Sequence, residues 1–166
     1  MERQDKEETL LNWLIGAYGM EKALVSVLAK QAEHAQEDYP ELHKRLLEHK
    51  NETQRHADLV KGCVERHGGK ISGIKTEFTK LIGKAQNQMI GMFDEKVVKE
   101  TVMSSASEEL EISTYKAIIT LAKSLGDKET VKVCSEILKE EEEMLKFLNG
   151  QLEKVVEFTF QESRPS

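Results

Sequence analysis

Proline and cysteine each occur only twice in 166 residues, and aromatic side chains make up 5% of the chain. Scarce proline leaves long helices uninterrupted, because a proline ring inside a helix removes a hydrogen bond and clashes with the preceding turn. Two cysteines, Cys63 and Cys134, are too few for a disulfide framework and both fall among apolar neighbours. They are expected as reduced core thiols of a cytoplasmic protein. Basic charge is not in excess. The formal net charge is −6, where a nucleic-acid binder would carry a basic stripe. No apolar run approaches the roughly 18 residues of a membrane span. The opening MERQDKEETL is too charged for a signal peptide and too acidic for a transit peptide. Neither nucleic acid nor membrane is expected as a partner.

What the chain does have is charge of both signs and aliphatic side chains. Charged residues are 33% and the hydrophobic set 39%, rich in Glu, Lys, Leu and Ala. That is the composition of long amphipathic helices, and the length suits a single domain over residues 1–166. A first helix is expected from Asp5 to His34, followed by a break over 36–40. Pro40 suits the first turn of a second helix, which runs to Arg66 and stops at Gly68-Gly69. Residues Gly73 to Phe93 read as a shorter amphipathic segment with Phe78, Leu81, Ile82, Met89 and Met92 as its apolar positions. Two more long helices follow, one from Asp94 to Leu125-Gly126 and one from Asp127, a good N-cap, to Thr159. Residues 161–166 have little to bury and are expected to fray. The fold class is all-α, a four-helix bundle with a short extra helical segment in the crossover between the second and third long helices. The tight breaks make the first two long helices antiparallel neighbours, and likewise the last two.

Acids interrupt the apolar seams of this bundle. The first helix carries Leu10, Leu14, Ala17, Glu21, Leu24 and Leu28, apolar at every position but one. The last carries Val131, Cys134, Leu138, Glu141, Leu145, Leu148, Leu152 and Val155, again with a single glutamate. The second gives Leu42, Leu46, His49, Glu52 or Thr53, His56, Val60 and Cys63, polar through its middle third. The third long helix gives Val97, Ser104, Glu108, Glu111, Tyr115, Ile118, Ala122 and Leu125. The polar positions also agree in height. Glu111 and Glu141 each lie 15 residues from Gly126, while Glu21 lies 17 before Asp38 and Glu52 and His56 lie 14 and 18 after it. At about 1.5 Å per residue these mismatches are one turn or less.

Converging carboxylates repel, and a buried one without a partner costs several kcal/mol. These seams hold no arginine or lysine to neutralise them. A bound metal is the simplest counter-charge, with Glu21, His49, Glu52, His56, Glu108, Glu111 and Glu141 as candidate ligands of a carboxylate-rich two-metal site. Tyr115 and Tyr18 are expected in the core, their hydroxyls bonded to a seam carboxylate.

Four segments carry a family resemblance. Ala17-Tyr18-Gly19-Met20-Glu21-Lys22 resembles an A-Y-x-x-E-K motif, and the run from His49 to His56 resembles H-x-x-E-T-x-x-H. The run from Glu108 to Tyr115 resembles E-H-Y-E-I-A-x-Y, with Glu109 in place of the histidine, and Leu138 to Glu141 resembles L-x-E-E. Met144 and Leu145 follow where ferritin-like proteins place a His or Asp. In this order, over residues 9 to 155, the motifs resemble the YciF-like family of ferritin-like bacterial proteins associated with stress responses. The resemblance implies a ferritin-like bundle, a homodimer and a two-metal site. The expectation for function is a non-haem two-metal protein, iron or manganese, handling oxygen or peroxide. The competing expectation is a non-enzymatic dimeric helical module without a working metal site, using the segment Phe78 to Phe93 as its contact.

Overall fold

A computed structural model of the chain describes residues 2–71, 84 and 92–161. The expected segment Gly73 to Phe93 lies outside the described residues except for Lys84, Met92 and Phe93, and so do the last five residues. Among the described residues there is no strand. Four long helices build the fold: α1 (Arg3–Ala35), α2 (Pro40–Arg66), α3 (Lys96–Leu125) and α4 (Lys128–Gln161).

Local chemistry sets each boundary. Glu2 and Asp5 form a reciprocal capping box at the start of α1. The α1–α2 turn is clamped by His43 Nδ1, 2.7 Å from the Ala32 carbonyl oxygen, and Pro40 opens α2 where its missing N–H has no helical partner to lose. Gly68 (φ 74°) and Gly126 (φ 75°) follow the ends of α2 and α3 in the left-handed conformation that other residues adopt only at a cost. Asp127 caps α4, its Oδ1 accepting from the Thr130 backbone N–H at 3.1 Å and from Arg66 Nη1 at 3.0 Å.

α1 packs along α2 and α3 along α4, and the two antiparallel pairs join through α1 on α3 and α2 on α4. The core divides into two apolar clusters. One contains Leu10, Leu14, Val60, Tyr115, Ile118, Cys134 and Ile137. The other contains Leu28, Leu42, Leu46, Met144, Leu148 and Val155. Between them in sequence on α2, α3 and α4 lie the buried polar residues His49, Thr53, His56, Glu108, Glu111 and Glu141, while Glu21 on α1 sits between Met20 and Leu24 of the first cluster. Cys63 and Cys134 are both free and buried. Among the described residues, no helix is long and apolar enough to cross a membrane.

The expected seam of α4 requires a correction. Val131, Leu138, Leu145 and Leu152 are only half-buried, and the inward positions are Cys134, Ile137, Glu141, Met144, Leu148, Gln151 and Val155. Apolar residues stand side by side at 137–138 and 144–145, so hydrophobicity alone leaves the phase ambiguous. Packing against α3 and α2 selects the first of each pair. Glu141 is common to both phases. In α2 the same choice falls on Thr53, which is buried, while Glu52 is half-buried.

Candidate metal centre

The polar layer is assembled by all four helices. Glu21 comes from α1, His49 and His56 from α2, Glu108 and Glu111 from α3, and Glu141 from α4, and none exceeds 2% exposure. On each helix the residue falls on the inward face by the same 3.6-residue periodicity that buries its aliphatic neighbours. The acid is therefore carried into the core by the surrounding leucines.

Two sets of three potential ligand atoms cluster within this layer. Glu21, His56 and Glu141 form one and His49, Glu108 and Glu141 the other, each with its atoms within 4.8 Å of one another. Glu141 belongs to both. Its Oε1 lies 2.8 Å from His56 Nδ1, and its Oε2 lies 3.4 Å from His49 Nε2. His56 Nδ1 is also 3.7 Å from Glu21 Oε2, and His49 Nε2 is 3.3 Å from Glu108 Oε1.

Closeness here is not hydrogen bonding. Glu21 Oε2, His56 Nδ1, Glu108 Oε2, Glu111 Oε1 and both oxygens of Glu141 are buried with no hydrogen-bond partner. His56 Nδ1 approaches Glu141 off the line of its N–H, so the contact leaves both atoms unsatisfied. Buried polar atoms are normally paired, and each orphan calls for a cause. Donor atoms gathered round shared points, and not aimed at one another, are what a cation would satisfy. The donor set of carboxylate oxygens and imidazole nitrogens suits iron or manganese, and the residues present fit such a group.

Electrostatics in the layer follows from burial. Burial pushes the Glu21 carboxyl above its ordinary value, with the neighbouring His56 opposing the shift and Glu141 adding to it. Burial raises Glu141 to about 7, and it drives Glu111 well above the carboxylate range with help from Glu141, Glu21 and Glu108. Burial alone would lower both histidines. For His49, the contacts with Glu108 and Glu52 override it and lift the ring to about 10. Glu141 and Glu21 do the same for His56, also to about 10. The imidazole rings are thus the cationic groups facing the inner acids in the metal-free protein.

The remaining expected residues occupy other places. Glu111 lies in the layer among Glu21, Glu108 and Glu141 but in neither three-residue set. Glu52 is outside both sets, its Oε2 2.9 Å from His49 Nδ1 and 2.9 Å from Arg45 Nη1. Those two contacts hold its carboxyl down to about 2. Arg45 was invisible to a reading of the inward stripe because it sits beside that stripe and reaches back by its long side chain. Tyr115 bonds Glu21, while Tyr18 is half-buried against the core and lacks such a bond in the described hydrogen-bond network. Glu140, half-buried on α4, is not among the expected ligands. It accepts from His56 Nε2 at 2.6 Å and from Arg55. Its position next to Glu141 was the only available signal.

The family described as a domain of unknown function, DUF892, matches residues 5–160. The chain belongs to the DUF892 family. This DUF892 chain is 35% identical to a protein of Xanthomonas campestris pv. campestris, whose crystal structure matches at TM-score 0.81 over 96% of this chain and 99% of that one. Protein YciF of Escherichia coli K12 is 26% identical over 139 residues, covering 81% of this chain and 82% of YciF. The crystal structure of YciF, described there as a stress protein, matches at TM-score 0.78 and 25% identity over 92% and 97% of the two chains. The YciF-like resemblance carried by the four helical motifs is therefore shown over most of the chain. A bacterioferritin of Desulfovibrio desulfuricans, described by its diiron site, matches at TM-score 0.76 and 18% identity over 95% and 85%. That likeness identifies the fold as ferritin-like.

Proposed function

We propose that this protein holds two cations, iron or manganese, in its polar layer and uses them on a small oxidant such as oxygen or peroxide. One cation would be held by Glu21, His56 and Glu141, and the other by His49, Glu108 and Glu141, with Glu111 as a further carboxylate of the same layer. The observation that carries this reading is the set of buried, unpartnered ligand atoms from all four helices. Charge supports it as well. Glu21, Glu108, Glu111 and Glu141 together match the charge of two divalent cations, so with neutral imidazoles the filled layer is balanced. When bound, the metals would supply redox chemistry toward oxygen or peroxide.

The protein's own contribution is a rigid, dry cage. Apolar clusters above and below the layer exclude water, and Tyr115 fixes one oxygen of Glu21 so that the other faces inward. The description of YciF as a stress protein and the diiron site named for the bacterioferritin point the same way. The reading carries with it a homodimer in the cytoplasm, where the two free buried cysteines stay reduced.

The deciding measurement is the metal content of the purified chain after anaerobic reconstitution with Fe(II) or Mn(II), together with the shift in melting temperature. Two metals per chain and a concentration-dependent rise in Tm are expected. Less than about 0.2 metal per chain with an unchanged Tm would sink the proposal.

A further inference from the structure

We propose that Glu52 and Glu140 are positioning residues of this centre, each holding one histidine from behind so that a different ring nitrogen turns inward: Nε2 of His49 and Nδ1 of His56. The inference rests on the two-metal reading and deepens it, by assigning the atoms through which each histidine would act.

The two histidines are seven residues apart on one face of α2, yet their rings are oriented in opposite senses. His49 turns Nδ1 toward Glu52 Oε2 at 2.9 Å, leaving Nε2 toward Glu108 and Glu141. His56 turns Nε2 toward Glu140 Oε2 at 2.6 Å, leaving Nδ1 toward Glu141 and Glu21. The difference comes from where the carboxylate stands. Glu52 lies one turn further along the same helix, whereas Glu140 reaches across from α4.

Each carboxylate is anchored in turn by an arginine on the very oxygen that meets the ring. Arg45 Nη1 is 2.9 Å from Glu52 Oε2, and Arg55 bonds Glu140 Oε2. A guanidinium has donors only and no acceptor, so it keeps the carboxylate ionised and in place. A neutral imidazole carries one ring hydrogen. Donating that hydrogen to the carboxylate behind leaves a lone pair on the opposite nitrogen, aimed into the layer. Two Arg–Glu–His relays thus converge on the site from its outer side, one within α2 and one between α2 and α4. In this arrangement Glu52 shapes the site without entering it.

The test uses the full chain loaded with Zn(II), a diamagnetic probe, and long-range 1H–15N correlation of the histidine rings. The expected spectrum shows the hydrogen on Nδ1 of His49 and on Nε2 of His56. Hydrogen on the same ring nitrogen in both histidines would overturn the assignment. Glu52→Ala and Glu140→Ala are expected to weaken Zn(II) binding about 10- to 100-fold at unchanged stoichiometry and helix content, with Glu52→Gln and Glu140→Gln recovering part of the loss. Affinities of both alanine variants within about twofold of the parent would overturn the relays while leaving the two-metal reading standing. Loss of one bound Zn(II) per chain in Glu52→Ala would make Glu52 a ligand, which also overturns its positioning role. If the parent chain itself takes up no Zn(II), Fe(II) or Mn(II), the two-metal reading fails and the relays fail with it.

Discussion

Tyr115 on α3 donates its phenolic hydrogen to Oε1 of Glu21 on α1, and both side chains are fully buried. The bond joins the two antiparallel helix pairs across the polar layer. Burial, with the nearby Glu21 charge next, pushes the Tyr115 hydroxyl well above its ordinary pKa, so it remains a donor. Glu21 Oε2 keeps no partner. Replacement of Tyr115 by Phe would leave both oxygens of a buried carboxyl unsatisfied by hydrogen bonds. Tyr115→Phe is expected to destabilise the metal-free protein by about 1–3 kcal/mol, read from urea unfolding.

Removing acid and phenol together has the opposite expected sign. Glu21→Leu/Tyr115→Phe replaces a buried polar pair by hydrophobic side chains of similar size. The metal-free double variant is expected to gain about 1–4 kcal/mol, while the Tm rise on adding Mn(II) shrinks or disappears. Chemical unfolding with and without Mn(II) gives both numbers. A double variant that is destabilised in the absence of metal would mean that Glu21 is a satisfied structural acid.

Asp127 provides a pH test away from the polar layer. Burial alone would raise its carboxyl, but Thr130, Arg66 and His67 outweigh burial and hold it below the usual carboxylate range. A carboxyl with a depressed folded-state pKa stabilises the protein above its unfolded value, about 3.9. That stabilisation is lost as pH falls from there through the lower folded value. Asp127→Ala is expected to cost about 1–2 kcal/mol at neutral pH as a lost helix cap. Unfolding curves of parent and variant should converge as pH drops below about 4. A gap that stays constant down to pH 2 would contradict the assignment.

The phase of α4 can be tested by two neighbouring truncations. Met144 is fully buried and Leu145 half-buried. Met144→Ala is expected to cost about 2–5 kcal/mol, as core truncations do, and Leu145→Ala clearly less. Thermal and urea denaturation of both variants would show the order, and the reverse order would restore the seam first read from the leucines.

Much of the architecture was legible because it depends on short-range rules. Pro40, the glycines at 68 and 126 and Asp127 mark helix ends through backbone geometry that any context respects. Glu21, His49, His56, Glu108, Glu111 and Glu141 were found because an acid or histidine in an otherwise apolar stripe must be buried with its neighbours. Glu140 was harder to place, since its contacts run from α4 to His56 and Arg55 on α2 and leave no periodic trace.

The sequence by itself determined the helices, their antiparallel pairing and the level at which polar residues enter the core, since periodicity and turn chemistry are local properties. Tertiary structure alone decided which of two adjacent apolar residues on α4 faces inward, because both satisfy the pattern and only the shape of the facing helices separates Met144 from Leu145. It also decided that Glu141 is shared between two clusters of potential ligand atoms while Glu52 turns to Arg45 and His49. A difference of one residue along a helix rotates a side chain by about 100 degrees. Whether that rotation ends at a ring nitrogen, an arginine or another acid depends on side chains far away in the chain.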